Sequence, residues 1–240
     1  MKHFFLLLAP CFYYGNTNSN AGSAVTKDPE TKQFQFTEST ETDIASWNYF
    51  LQHLPEIKAL VLDYKGNQIS KQEKHFSIIN YDVGTRDLQQ CADALMRLRA
   101  EYLFGQKRFD EIGFHFVSGQ YYRFLDYCKG LRPVADGNAV RFFKTAGGEK
   151  THQNLRKYLN HVYTYASTIF LAKELKTTYA FKIGTVVIYA GSPGHCFISV
   201  DEAIANNGKK LFKLVEGYTP AQSIYVLQNH AEPSLWYGIY

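Results

Sequence analysis

The most constraining stretch of the chain is 183–201, Ile-Gly-Thr-Val-Val-Ile-Tyr-Ala-Gly-Ser-Pro-Gly-His-Cys-Phe-Ile-Ser-Val-Asp. Two runs of β-branched and aromatic residues, 185–190 and 195–200, flank Gly191-Ser192-Pro193-Gly194. That pattern predicts a β-hairpin with a four-residue turn. Side chains alternate across a strand, so His195, Phe197, Ser199 and Asp201 share one face, and Cys196, Ile198 and Val200 the other. The apolar trio faces the core. His195 then stands at the lip of the sheet, beside a glycine-rich turn where a ligand can reach the backbone. Cys196 points away from His195 and is read as core, outside any chemistry.

Around this hairpin the other periodicities predict an α+β fold, with helices packed on an antiparallel sheet. Residues 44–51 have helical spacing behind an Asp43 cap, and Lys58–Asp63 and Phe76–Tyr81 read as an N-terminal hairpin resting on the main body. Asp87 to Phe104 is the best helix of the first half, capped by Asp87, with Leu88, Cys91, Leu95, Leu98 and Tyr102 on its apolar stripe. Asp93, Arg97 and Glu101 step by four along a solvent side. Cys91 falls about one turn inside that helix, where the dipole and unpaired amides favour a thiolate. Ile112–Val117 reads as a strand, Tyr121–Cys128 as a helix, Arg132–Gly148 as a rim or lid loop, and Asn154–Lys176 as one long helix. Leu211–Glu216, Ser223–Leu227 and Trp236–Tyr240 read as further strands.

The first residues need separating from the fold. Met1-Lys2-His3 followed by Phe4-Phe5-Leu6-Leu7-Leu8-Ala9 reads as a signal peptide, too short to span a bilayer as a helix. Leu8-Ala9-Pro10-Cys11 resembles a bacterial lipobox, in which Cys11 carries the lipid. The expected organisation is a leader over 1–11, a flexible polar linker over 12–42 and one α+β domain over 43–240. A lipid anchor and a place in the cell envelope, periplasm or outer membrane, follow as expectations.

Charge narrows the partners. Net charge is +4 and the Lys and Arg residues are scattered, which argues against nucleic acid. The 18 Tyr and 18 Phe suit a β-rich core or a cleft for a peptide or glycan. The cysteines at 11, 91, 128 and 196 form no CxxC pair, and the histidines form no HExxH or HxH. No metal site or cofactor is expected from these spacings.

Arg86-Asp87-Leu88-Gln89-Gln90-Cys91-Ala92-Asp93-Ala94, leading into Arg97-Leu98-Arg99-Ala100-Glu101-Tyr102-Leu103, resembles the bacterial family called domain of unknown function 4846. So do Ser192-Pro193-Gly194-His195 with Val200-Asp201, Gly208-Lys209-Lys210, and Tyr218-Thr219-Pro220-Ala221-Gln222 before Val226-Leu227. The likeness runs in order from about residue 44 to the end. It implies an exported protein, often a lipoprotein, and departs from the family pattern at Thr185, Cys196 and Glu216.

The arrangement is also similar, more distantly, to papain-like hydrolases of the NlpC or CHAP type. There a nucleophilic cysteine opens a helix, a histidine starts a later strand, and a polar residue on the next strand orients the imidazole. That similarity implies Cys91 as nucleophile, His195 as base and Glu216 as its orienting partner, with Asp201 a second choice and Gln90 or Gln89 near the oxyanion. Gln90, Asp201 and Gln222 are the expected binding residues. Two functions stay open: a thiol hydrolase cutting amide bonds in cell-wall or other peptides, and a non-catalytic envelope lipoprotein binding a glycan, peptide or protein through the same cleft. Near hydrogen-bond reach between Cys91 and His195 separates them, because catalysis needs it.

Overall fold

A computed structural model describes residues 5–7, 37–38, 45–231 and 234–238. Cys11 and most of the leader and linker lie outside the described residues; the helix expected behind Asp43 is Trp47–Gln52, capped instead by Ser46, whose hydroxyl accepts the Tyr49 N–H at 3.0 Å. The hairpin forms where the sequence puts it: Thr185–Tyr189 pairs antiparallel with His195–Ile204, with Tyr189 opposite His195 and Ile188 opposite Cys196. Cys196, Ile198 and Val200 are buried, as the alternation requires. Ser199 and Asp201 are buried as well, because the strand runs to Ile204 under other elements and shifts register between Ser199 and Asp201.

The fold is α+β. The main sheet runs, in spatial order, Glu56–Ile57, His75–Ile79, Tyr225–Leu227, Lys210–Glu216, His195–Ile204 and Thr185–Tyr189, antiparallel throughout. At the far edge Phe5–Leu7 adds in parallel to Thr185–Val187, with Lys176–Thr177 parallel on its other side. Trp236–Gly238 pairs with the start of the Lys210–Glu216 strand. The expected N-terminal hairpin is therefore part of the central sheet. Lys58–Asp63 is not its strand: pairing stops at Ile57, and Leu62 only bridges Gln68 across the Gly66 turn.

The Cys91 helix spans Cys91–Gly105 and begins three residues later than the Asp87 cap predicts. Gln90 is the cap residue, its N–H donating to Asp93 Oδ2 at 3.2 Å. Asp87 is engaged elsewhere, accepting the Ala221 N–H at 2.7 Å and so tying the helix entry to the loop after the Glu216 strand. Cys91 is thus the first residue of the helix. No helix among the described residues is long and apolar enough to cross a membrane.

The expected solvent side of this helix is buried. The sheet covers one flank, and His152–Tyr165 packs on another, so Asp93 and Arg97 are inside along with Leu95 and Leu98. Arg97, 1% exposed, is held by Glu101 at 2.5 Å, Asp82 at 3.0 Å and the Gln89 amide oxygen at 3.1 Å. Three further readings change. Tyr121–Arg123 is a strand, paired with Gly113–His115, before the helix Phe124–Cys128. The lid loop is a β-hairpin, Leu131–Asp136 with Ala139–Lys144, turning at Gly137 with φ 59°. The long helix breaks into His152–Tyr165 and Thr168–Glu174, because Ser167 restarts it as a cap for the Phe170 N–H.

Arg97→Ala leaves Glu101 and Gln89 without their buried cation and lowers unfolding free energy by about 3 kcal/mol. Urea denaturation checks this; a loss like that of an exposed pair, below about 0.5 kcal/mol, would contradict the burial.

Candidate active site

Cys91 sits where the helix N-terminus meets the end of the sheet. Two glycines permit the approach. A Cβ at Gly217, the residue after Glu216, would lie 2.6 Å from the Ala94 Cβ and 3.1 Å from the Gln90 carbonyl oxygen. A Cβ on Gly194 would collide with the Thr168 hydroxyl. The Cys91 sulfur lies 3.7 Å from the Gly194 carbonyl oxygen, which accepts the proton of the thiol form. As the first helical residue, Cys91 also stands among backbone N–H groups that have no acceptor within the helix.

His195 opens its strand and is about one-third exposed at its side chain. Its Nε2–H donates to Glu216 Oε2 at 2.7 Å. The Tyr225 hydroxyl donates to the other oxygen of the same carboxylate. Glu216 is buried and pairs directly with Tyr225 across the strands, with Phe197 on its other side. With Nε2 committed, Nδ1 is the nitrogen left for the thiol. Tyr218 stands edge-on to the imidazole, ring centres 5.4 Å apart.

These contacts set the protonation states. Hydrogen bonding from Cys196 is the largest influence on the Cys91 thiol; burial opposes it, and His195 and the Ala92 N–H add to it, bringing the pKa down to about 5. Burial lowers the imidazole pKa, but hydrogen bonds with Cys91 and Glu216 outweigh it and raise His195 to about 9. Between those values the site holds a thiolate beside an imidazolium. Cys196 keeps its proton, its pKa pushed up by the neighbouring Cys91 sulfur and by burial. This corrects the reading of Cys196 as mere core. It faces away from His195, yet the helix lies on that same face, so its thiol supports the Cys91 thiolate.

Cys91 opens into a 370 Å³ cleft lined by Gln90, Thr168, the Gly191–Gly194 turn and Thr219. The Ala166–Ser167 helix break forms another wall. The expected lid hairpin contributes nothing to it. Gln90 lines the cleft, with its amide donating to Asp87 and accepting from Thr219 Oγ1 at 3.2 Å. Gln89 turns the other way: its oxygen accepts from Arg97, and its buried Nε2 has no hydrogen-bond partner among the described residues. The helix-start amides are therefore the oxyanion donors best placed. Asp201 is not at the site; it accepts from Gln52 at 2.9 Å and lies 3.7 Å from the Lys213 ammonium. Gln222 lines a neighbouring cavity. Among the described residues no cluster of His, Cys, Asp and Glu could hold a metal ion.

Sequence reasoning missed Tyr225, Tyr218 and Thr168. Tyr225 needed the strand register and Thr168 needed the helix break. Tyr218 was visible beside Glu216 and was read only as part of a motif.

A family model described as domain of unknown function 4846 matches residues 28–240. The chain belongs to that family. Comparisons with curated proteins and with solved structures returned no match.

Iodoacetamide labelling followed by mass spectrometry reads the thiolate directly. The rate at Cys91 rises with a midpoint near pH 5, because the depressed pKa keeps the sulfur ionised above that value. His195→Ala moves the midpoint upward. A wild-type midpoint near the ordinary thiol value of 9.0 would show that the pair is not formed.

Proposed function

We propose that the chain is a thiol hydrolase that cleaves amide bonds in peptides, with Cys91 as nucleophile, His195 as acid and base, and Glu216 as the orienting carboxylate. The observation that carries this is the run Tyr225–Glu216–His195 leading to a cysteine at a helix start. A cysteine at a helix start, a histidine opening a strand and a carboxylate on the next strand support a papain-like arrangement of the Cys91 helix and the strands beside it. The Cys91 thiolate attacks the scissile carbonyl carbon, and the amides at the helix start receive the developing oxyanion. The imidazolium gives its proton to the leaving amine as the C–N bond breaks, leaving a thioester. A water, losing its proton to the now neutral imidazole, attacks that thioester and releases the carboxylic acid and the Cys91 thiolate, which restores the thiolate–imidazolium pair. Glu216 holds the ring with Nε2 occupied throughout, and Tyr225 holds Glu216.

The small residues of the cleft, Ala92, Ala166, Ser167 and Gly194 among them, suit peptides with small side chains next to the scissile bond. The leader's pattern supports export and so a substrate among cell-wall and other envelope peptides; a lipid on Cys11 would require loss of the Phe5–Leu7 edge strand.

Hydrolysis of fluorogenic alanine- and glycine-containing peptides tests the reading. Activity follows a bell over pH. The acid limb near 5 marks loss of the thiolate, and the alkaline limb near 9 marks loss of the imidazolium proton. Cys91→Ala abolishes it. Glu216→Gln lowers kcat about 100-fold and moves the alkaline limb down, since the imidazolium loses its carboxylate. Hydrolysis that survives Cys91→Ala would overturn the assignment. Peptide binding without any turnover would make the cleft a binding module.

A further inference from the structure

A second cavity lies on the other side of the catalytic pair. It has a volume of 360 Å³ and is lined by Lys71, Lys74, Tyr218, Thr219, Gln222 and Tyr225 among others. Thr219 is a wall of both this cavity and the Cys91 cleft. Tyr218 touches the His195 ring, and Tyr225 holds Glu216, so the cavity is bounded by the groups that orient the imidazole. A molecule lying across Cys91 would pass by way of Thr219 from the Cys91 cleft, whose charged side chain besides the thiolate is Asp87, into this space.

Its charge is distinctive. Lys74 Nζ stands 5.5 Å from the Tyr218 ring centre, half-buried, and Lys71 is exposed at the mouth. Among the described residues neither ammonium forms an ion pair. The acidic residue of the lining, Asp63, is turned to its own loop: its oxygens accept the Lys65 and Asn67 backbone N–H groups at 2.8 Å each, and the Asn67 amide at 3.2 Å. Two cations with no carboxylate partner, on the far side of Tyr218 from the His195 ring, make a receptor for negative charge. Gln222, buried in the wall, lies beside them as a neutral polar group.

We infer that this cavity is a subsite for an anionic group of the substrate, held by Lys71 and Lys74 while the bond to be cut lies at Cys91. The inference rests on the hydrolase reading only in calling the bound molecule a substrate. A carboxylate, from an acidic side chain or a chain terminus, and a phosphate share the chemistry that two lysines recognise. Lys71 and Lys74 are then specificity residues, and Tyr218 links their cavity to His195.

Calorimetric titration of the full chain carrying Cys91→Ala, which prevents turnover, tests this. The probes are acetyl-Ala-Ala-Glu, the same peptide with its carboxylates replaced by amides, and inorganic phosphate. The acidic peptide binds about tenfold more tightly than the amide, and Lys71→Ala with Lys74→Ala removes the difference. Phosphate binding that the double variant loses, without discrimination between the peptides, assigns the anion to phosphate. Equal binding of both peptides with no phosphate binding, or discrimination that survives loss of both lysines, overturns the subsite. An unchanged unfolding midpoint shows that the double variant is folded. Iodoacetamide labelling of Cys91 in the unsubstituted chain is read separately. If Cys91 fails to label while the anion still binds, the hydrolase reading falls and the anion site stands.

Discussion

The structure depends on one close approach, the seating of the Cys91 helix start against the ends of the His195 and Glu216 strands. Ala94 and the Gln90 carbonyl lie where a Cβ on Gly217 would be, and the Asp87 carboxylate holds the Ala221 N–H of the following loop. These contacts put the first turn of the helix, with its unpaired amides, directly beside the residues that open one strand and close the next. A side chain at 217 would widen that gap and separate thiol from imidazole. The same seating brings Cys196 to the Cys91 sulfur, since the strand face turned toward the helix is the face opposite His195.

Burial then raises the stakes of every polar group behind the site. Arg97, Gln89 and the nearly covered Glu101 form a connected set under the helix that reaches the surface at the exposed Asp82, with Arg156 joining at Asp82 and Gln89. Low dielectric strengthens such bonds and makes a missing partner expensive, which fixes the helix in rotation as well as position. The rotation matters because it decides which residue of the first turn faces the cleft. Burial pushes the Asp93 carboxyl well above the usual carboxylate range, against the Gln90 N–H that favours its ionised form.

The local patterns were legible where one element settles them. The 185–200 hairpin, the Cys91 helix and the inward set Cys196, Ile198 and Val200 follow from turn residues and period. Local patterning failed where a neighbouring element covered a surface. The i, i+4 row Asp93–Arg97–Glu101 looks solvent-facing because charge at that spacing usually is, and only a second helix packing there buries it. The region 132–148 looks like a loop for its Asp-Gly-Asn and Pro133, yet two exposed strands pair across Gly137 at a distance from the main sheet. Ser167 looks like one polar residue in a long helix until its hydroxyl caps a new one.

By itself the sequence determined residue types and local geometry: a cysteine near a helix start, a histidine at the entry to a strand, and a carboxylate at the end of another. It also determined the alternation that keeps Cys196 and His195 on opposite faces, because that is a property of a single extended strand. Only the tertiary structure decided that Cys91 is the first helical residue, that Glu216 meets His195, that Tyr225 holds Glu216, and that the Cys196 thiol lies near enough to Cys91 to lower its pKa. Each is a contact between elements far apart in the chain. Strand register and helix seating set such contacts, and these come from packing the whole core, which no local pattern encodes.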